Sequence, residues 1–94
     1  MITVVKMSKM YDPLICYVGR PSIYGNPYSV IDHGRDGAVL KFIEYWYAPK
    51  QKYLREVALK LIPQNAKLGC WCAPGRCHGD IIAGYLNWKR SEAV

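Results

Sequence analysis

Gly69-Cys70-Trp71-Cys72-Ala73-Pro74-Gly75-Arg76-Cys77-His78-Gly79-Asp80 is the stretch whose reading decides the fold. Before it, Ala66 to Trp71 is short and apolar, the pattern of a buried strand. Pro74 and Gly75 break that run. After it, Ile81, Ile82, Tyr85, Leu86 and Trp88 recur at helical spacing, so a helix begins near Cys77 or His78. Strand, turn and helix start follow one another within a few residues. A strand feeding directly into a helix is the unit of a layered α/β fold.

Working outward, Ile2 to Met7 is β-branched and predicts a first strand. Ser8 to Pro13 reads as a turn, and Leu14 to Val18 as a second, buried strand. Gly19 to Pro27 holds two glycines, two prolines and an asparagine, which forbids regular structure. The irregular path continues from Tyr28 to Gly34. Asp36 is then placed to cap a helix whose stripe is Val39, Phe42, Ile43 and Trp46, stopped by Pro49. A further helix runs from about Gln51 to Leu61 with Leu54, Val57, Ala58 and Leu61 on one face, ended by Pro63. The residues from Arg90 onward are expected to fray. The expected architecture is one small α/β domain over residues 1–94. Its short sheet is parallel or mixed, about three helices flank it, and the order is β-β-α-α-β-α.

Thirteen Lys and Arg against seven Asp and Glu give a net charge of +6, which suits an anionic partner. No apolar run approaches the roughly 20 residues that a membrane helix needs, so no membrane partner is expected. Met1 to Met10 has no charged segment followed by an apolar core, so it is not read as a signal peptide. The expected compartment is cytoplasmic, with the four cysteines reduced.

Loops that leave the carboxyl ends of parallel strands carry the sites of α/β sheets. Two such loops are present here, and they meet across one crevice if their strands are parallel neighbours. The first offers Gly19, Arg20, Pro21, Tyr24, Gly25 and Asn26. Its Arg20 is suited to bidentate grip of an oxyanion, Tyr24 and Tyr28 to stacking, and Asn26 to reading a ligand edge. His33 and Arg35 lie just beyond, with Arg35 within reach of the same crevice. The second loop offers Cys72, Pro74, Arg76, Cys77, His78, Gly79 and Asp80. Free N–H groups at the helix start, its positive dipole end and the Arg76 guanidinium are the parts of a phosphate cradle. Asp80 either caps that helix or accepts from a ligand hydroxyl. Against zinc, Cys70 and Cys72 are separated by one residue and Cys77 and His78 by none, unlike the paired knuckles of structural sites. No metal or cofactor is assigned. A dipole and a protonated His78 beside Cys77 would lower its thiol pKa, which keeps a nucleophile open. Cys70 and Cys72 otherwise read as small packing residues.

Tyr17-Val18-Gly19-Arg20-Pro21, Gly25-Asn26-Pro27, Gly69-Cys70-Trp71-Cys72, Pro74 and Cys77-His78-Gly79-Asp80 together resemble a family of small domains without an assigned function. That family is frequent in bacteriophages and bacteria. Its members share V-Y-I-G-R-P, a G-N-P loop and a closing G-C-W-C-x-P-x-x-C-H-G-D. Tyr28 stands where relatives carry Phe. The resemblance implies a compact α/β domain with these two loops as its common site, and a phage accessory protein in a bacterial host's cytoplasm. The expected function is a module that binds, and so sequesters, a small anionic nucleotide-like ligand. One alternative is an enzyme acting on a nucleotide or nucleoside through Cys77, His78 and Asp80. Another is a nucleic-acid-binding domain whose Cys/His cluster holds zinc. A homo-oligomer is expected, with Tyr45, Tyr47 and Trp88 as candidate contact residues.

Overall fold

The strand that rises into the cysteine loop is the middle of the sheet. In the computed structural model, which describes residues 1–7, 12–71 and 75–92, β1 (Thr3–Lys6) and β2 (Ile15–Tyr17) both lie parallel to β3 (Lys67–Cys70), in the order β1-β3-β2. Thr3 stands beside Lys67 on one edge and Ile15 beside Lys67 on the other. The remaining elements are α1 (Val30–Tyr47), a 3-10 turn (Pro49–Gln51), α2 (Lys52–Leu61) and α3 (His78–Glu92). The element order is the expected β-β-α-α-β-α, and the sheet is parallel throughout the described residues.

The pleat sorts the strands into two faces. Val4, Cys16, Leu68 and Cys70 point toward the core. α3 packs on β1 and β3, and α1 packs on α3. Between them lie Val18, Phe42, Trp46, Ile82 and Leu86, all fully buried. Phe42 stacks on Trp46 with centroids 5.9 Å apart, and Tyr85 meets Trp46 edge-on at 5.7 Å. A short chain fills its small core with large rings because few residues are available to fill it.

The helix boundaries correct the sequence at four points. α1 starts at Val30, not after Gly34, because Ser29 is its cap: the Ser29 hydroxyl accepts from the Asp32 N–H at 3.0 Å. Asp36 is therefore not the cap. Gly34 interrupts this helix with φ of 71°, a left-handed conformation that glycine adopts without penalty. The apolar stripe beyond it is as expected, with Val39, Phe42 and Trp46 buried. In α2, Leu61 is exposed, and Leu59 and Leu54 pack against the core beside buried Ala58. In α3, Trp88 is about half exposed, and Ile82, Tyr85 and Leu86 carry the burial.

The fourth correction concerns Arg90, which does not fray. Its guanidinium donates to the carbonyls of Leu59 at 3.1 Å, Pro63 at 3.3 Å and Ile62, closing the carboxyl end of α2. Arg55 does the same for α1, donating to the carbonyls of Trp46 and Ala48. Helix carboxyl ends leave carbonyls without intrahelical donors, and a cation is favoured there.

Candidate functional site

Because β2 and β3 are parallel neighbours, the loops that leave them emerge at the same end of the sheet. The condition for a shared crevice is met. A cavity of about 240 Å3 opens there, and both loops and the start of α1 wall it. Arg20 and His78 line it together.

Side-chain and backbone groups link the two loops across the strand ends. The Trp71 indole N–H donates to the Tyr17 hydroxyl at 3.2 Å, and that hydroxyl donates to the Arg20 carbonyl at 2.7 Å. Gly19 is required between them, since a Cβ there would overlap the Tyr17 ring and hydroxyl. Deeper in, the buried His78 ring donates from Nε2 to the Val18 carbonyl at 2.6 Å. A carbonyl only accepts, so Nε2 carries a proton. Phe42 meets the His78 ring edge-on at 5.1 Å. The imidazole is thereby held by the core on one side and by β2's end on the other.

Among the expected site residues, Gly19, Arg20, Asn26, Arg76, Cys77 and His78 line the cavity. Cys72 and Pro74 lie outside the described residues. Tyr24 is buried in the hydrophobic core and does not line the cavity. Pro21 is exposed and Gly25 is behind the cavity wall, where a Cβ would press on the Arg20 side chain at 2.8 Å. Asn26 is committed to the chain as well: its amide donates to the Ala38 carbonyl at 3.0 Å and its oxygen accepts from the Tyr28 N–H at 2.9 Å. It ties the first loop to α1.

The helix start differs most from expectation. Cys77 precedes α3, and its carbonyl accepts from the Asp80 N–H at 3.1 Å. Asp80 reaches back and accepts from the Cys77 N–H at 3.2 Å. This contact, from the Cys77 N–H to a carboxylate in the first turn, is the return bond of a capping box. Neither Gly79 nor Asp80 lines the cavity.

The surroundings of Cys77 disfavour the thiolate. Its side-chain hydrogen bond with Cys70 and then its burial raise the thiol pKa well above the ordinary 9.0, outweighing the N–H groups of Asp80 and Gly79, which lower it. Since the fold favours the neutral thiol, this contribution to stability is intact below pH 9.0 and declines as pH rises above it. Alkylation of Cys77 by iodoacetamide at pH 7, followed by peptide mass spectrometry, is therefore expected to be at least about a hundredfold slower in native protein than in urea. Equal rates would show the thiol to be accessible and ionised. No hydrogen bond or ion pair joins His78 to Asp80 among the described residues: His78 meets the Val18 carbonyl and Asp80 the Cys77 N–H. Nor do Cys70, Cys77 and His78 gather as a metal-holding group among those residues; Cys72 lies outside them.

The sequence under-read three contributors. Trp71, Tyr17 and Cys70 were read as strand residues, yet they line the cavity from the ends of β2 and β3. Alternation along the strands, together with parallel pairing, is the signal that places Tyr17 and Trp71 on one face. Val30, Ala38 and Val39 add an apolar wall from α1, while Tyr28 and Arg35 line the cavity as well. Tyr45 packs against Phe42 and Tyr28, whereas Tyr47 and Trp88 remain exposed.

Residues 4–88 match the family model described as "Domain of unknown function (DUF4326)", and the chain belongs to that family. Comparison with curated proteins and with solved structures found no match.

Proposed function

We propose that this domain is a binding module for a small anionic, nucleotide-like ligand, seated in the cavity at the ends of β2 and β3. One observation carries this reading. The chain has five arginines: Arg55 and Arg90 are held by helix-end carbonyls, and the other three, Arg20, Arg35 and Arg76, all line this cavity. Among the described residues, no Lys, Asp or Glu lines it. Among the described residues, Arg20 and Arg35 form no ion pair, and Arg76 has only an exposed one with Asp36 at 3.6 Å. An exposed pair of that length contributes little to stability. Guanidinium is the group suited to bidentate grip of phosphate or carboxylate. Trp71 and Tyr28 supply ring faces, and Ala38 and Val39 an apolar wall, as a base or sugar requires.

Holding fits the site better than turnover does. Its thiol is kept neutral, its histidine donates to a main-chain carbonyl, and its nearest expected carboxylate caps a helix. A domain that binds a nucleotide unchanged acts by lowering the free concentration of that nucleotide, and withdrawing a host signal is the use we propose in a phage setting. Incubation with a nucleotide panel is expected to return every nucleotide unaltered by chromatography. Arg20→Ala and Arg76→Ala are each expected to weaken binding by about tenfold in calorimetry. Conversion of any nucleotide would overturn the binding-only reading. Unchanged affinity in both variants would overturn the phosphate grip.

A further inference from the structure

Resting on the reading above, we infer that the ligand's anionic group is a phosphomonoester, gripped by Arg20 and Arg35, with Arg76 drawn to it from Asp36. The charges around the cavity set the count. Three guanidiniums line the cavity, and among the described residues only Arg76 has an ion-pair partner, Asp36, so Arg20 and Arg35 leave two positive charges unpaired. A carboxylate or a phosphodiester carries one negative charge, and a single bidentate arginine satisfies it. A phosphomonoester carries about two charges at pH 7 and three strong acceptor oxygens, which more than one guanidinium can share. Lysine would supply the charge without the fork, and none lines the cavity among the described residues.

Arg35 gains its place through Gly34. The left-handed turn at Gly34 interrupts α1 immediately before Arg35, and Arg35 lines the cavity with no ion-pair partner among the described residues. Arg76 differs, since Asp36 already holds it at 3.6 Å and must release it. Size limits the rest of the ligand. A cavity of about 240 Å3 lies below the roughly 300–1,000 Å3 of sites that enclose drug-sized molecules. It has room for one ring system inside, with the phosphate at the arginine rim.

Isothermal calorimetry on the full chain tests this with ribonucleoside 5′-monophosphates, the matching 3′,5′-cyclic monophosphates, the bare nucleosides and ribose 5-phosphate. The 5′-monophosphate is expected to bind at least about tenfold tighter than its cyclic counterpart, because attraction to the rim scales with ligand charge. Arg35→Lys is expected to cost the monoester about tenfold and to leave the cyclic form within about threefold, since the charge remains and the fork is lost. Lys52→Ala, on an exposed helix face, is expected to leave all affinities unchanged, which separates the site from the general positive charge of the chain. Ribose 5-phosphate binding as tightly as the nucleotide would support the monoester and assign it to a sugar phosphate. A cyclic form that binds as tightly as the monoester would overturn this inference and leave the nucleotide reading standing. Failure of every nucleotide to bind would overturn both.

Discussion

Phe42→Ala is expected to destabilise the domain by about 3–5 kcal/mol, read as a drop in the thermal midpoint of at least about 12 °C. Phe42 is fully buried, and its ring touches three others: Trp46 at 5.9 Å, Tyr45 at 5.6 Å and His78 at 5.1 Å. Truncation removes the transfer energy of the ring and leaves a cavity that rigid aromatic neighbours cannot collapse to fill. Domains of this size hold roughly 5–15 kcal/mol in total, so the loss is a large share. The position also joins core to site. Without the Phe42 edge, His78 keeps only its hydrogen bond to the Val18 carbonyl as a fixed restraint. Ligand binding is therefore expected to weaken in Phe42→Leu, where the fold survives with a smaller loss. A Phe42→Ala midpoint within about 4 °C of the parent would show that this ring is not the centre of the core.

Arg90→Ala is expected to cost about 2–3 kcal/mol. One side chain near the end of α3 donates to three carbonyls at the end of α2, 27 to 31 residues earlier in the chain. It ties those two helices together, and no ion pair among the described residues joins them. Charge-assisted bonds are about twice as strong as neutral ones, and the positive group also meets the negative end of the α2 dipole. Water can replace part of this, since two of the bonds are only part-buried, which keeps the cost below that of a fully buried network. Arg90→Lys is expected to recover less than half, because an ammonium cannot fork over several carbonyls. Hydrogen exchange at the last turn of α2 locates the effect: faster exchange there, with β3 unchanged, is the expected pattern. Uniform acceleration across the sheet would mean that Arg90 acts on global stability only.

Much of the fold was legible in order along the chain. Alternating and helical apolar spacings placed each strand and helix to within a few residues, because burial on one face imposes a period wherever the chain lies. Pro49 and Pro63 marked helix ends for a reason local to proline, its missing N–H. The first turn of α1 was not legible as helix, since Gly34 within it reads as a break, and locally it is one. Membership of the pocket was legible for residues whose chemistry is already unusual on a loop, such as Arg20, Arg76 and His78. Tyr24 and Tyr28 could not be told apart by type or spacing, and only packing sends the first to the core and the second to the cavity wall.

The amino-acid sequence by itself determined the alternation of strand and helix, the two Gly/Pro corners and the excess of positive charge. These follow from side-chain volume, backbone freedom and ionisation, which belong to each residue before it folds. Tertiary structure alone decided that β3 lies between β1 and β2, and hence that the two corners share one cavity. It also decided which arginines cap helices and which face the cavity, and it buried Cys77 beside Cys70. Those outcomes depend on distances between residues far apart in the chain, and no local pattern carries that information.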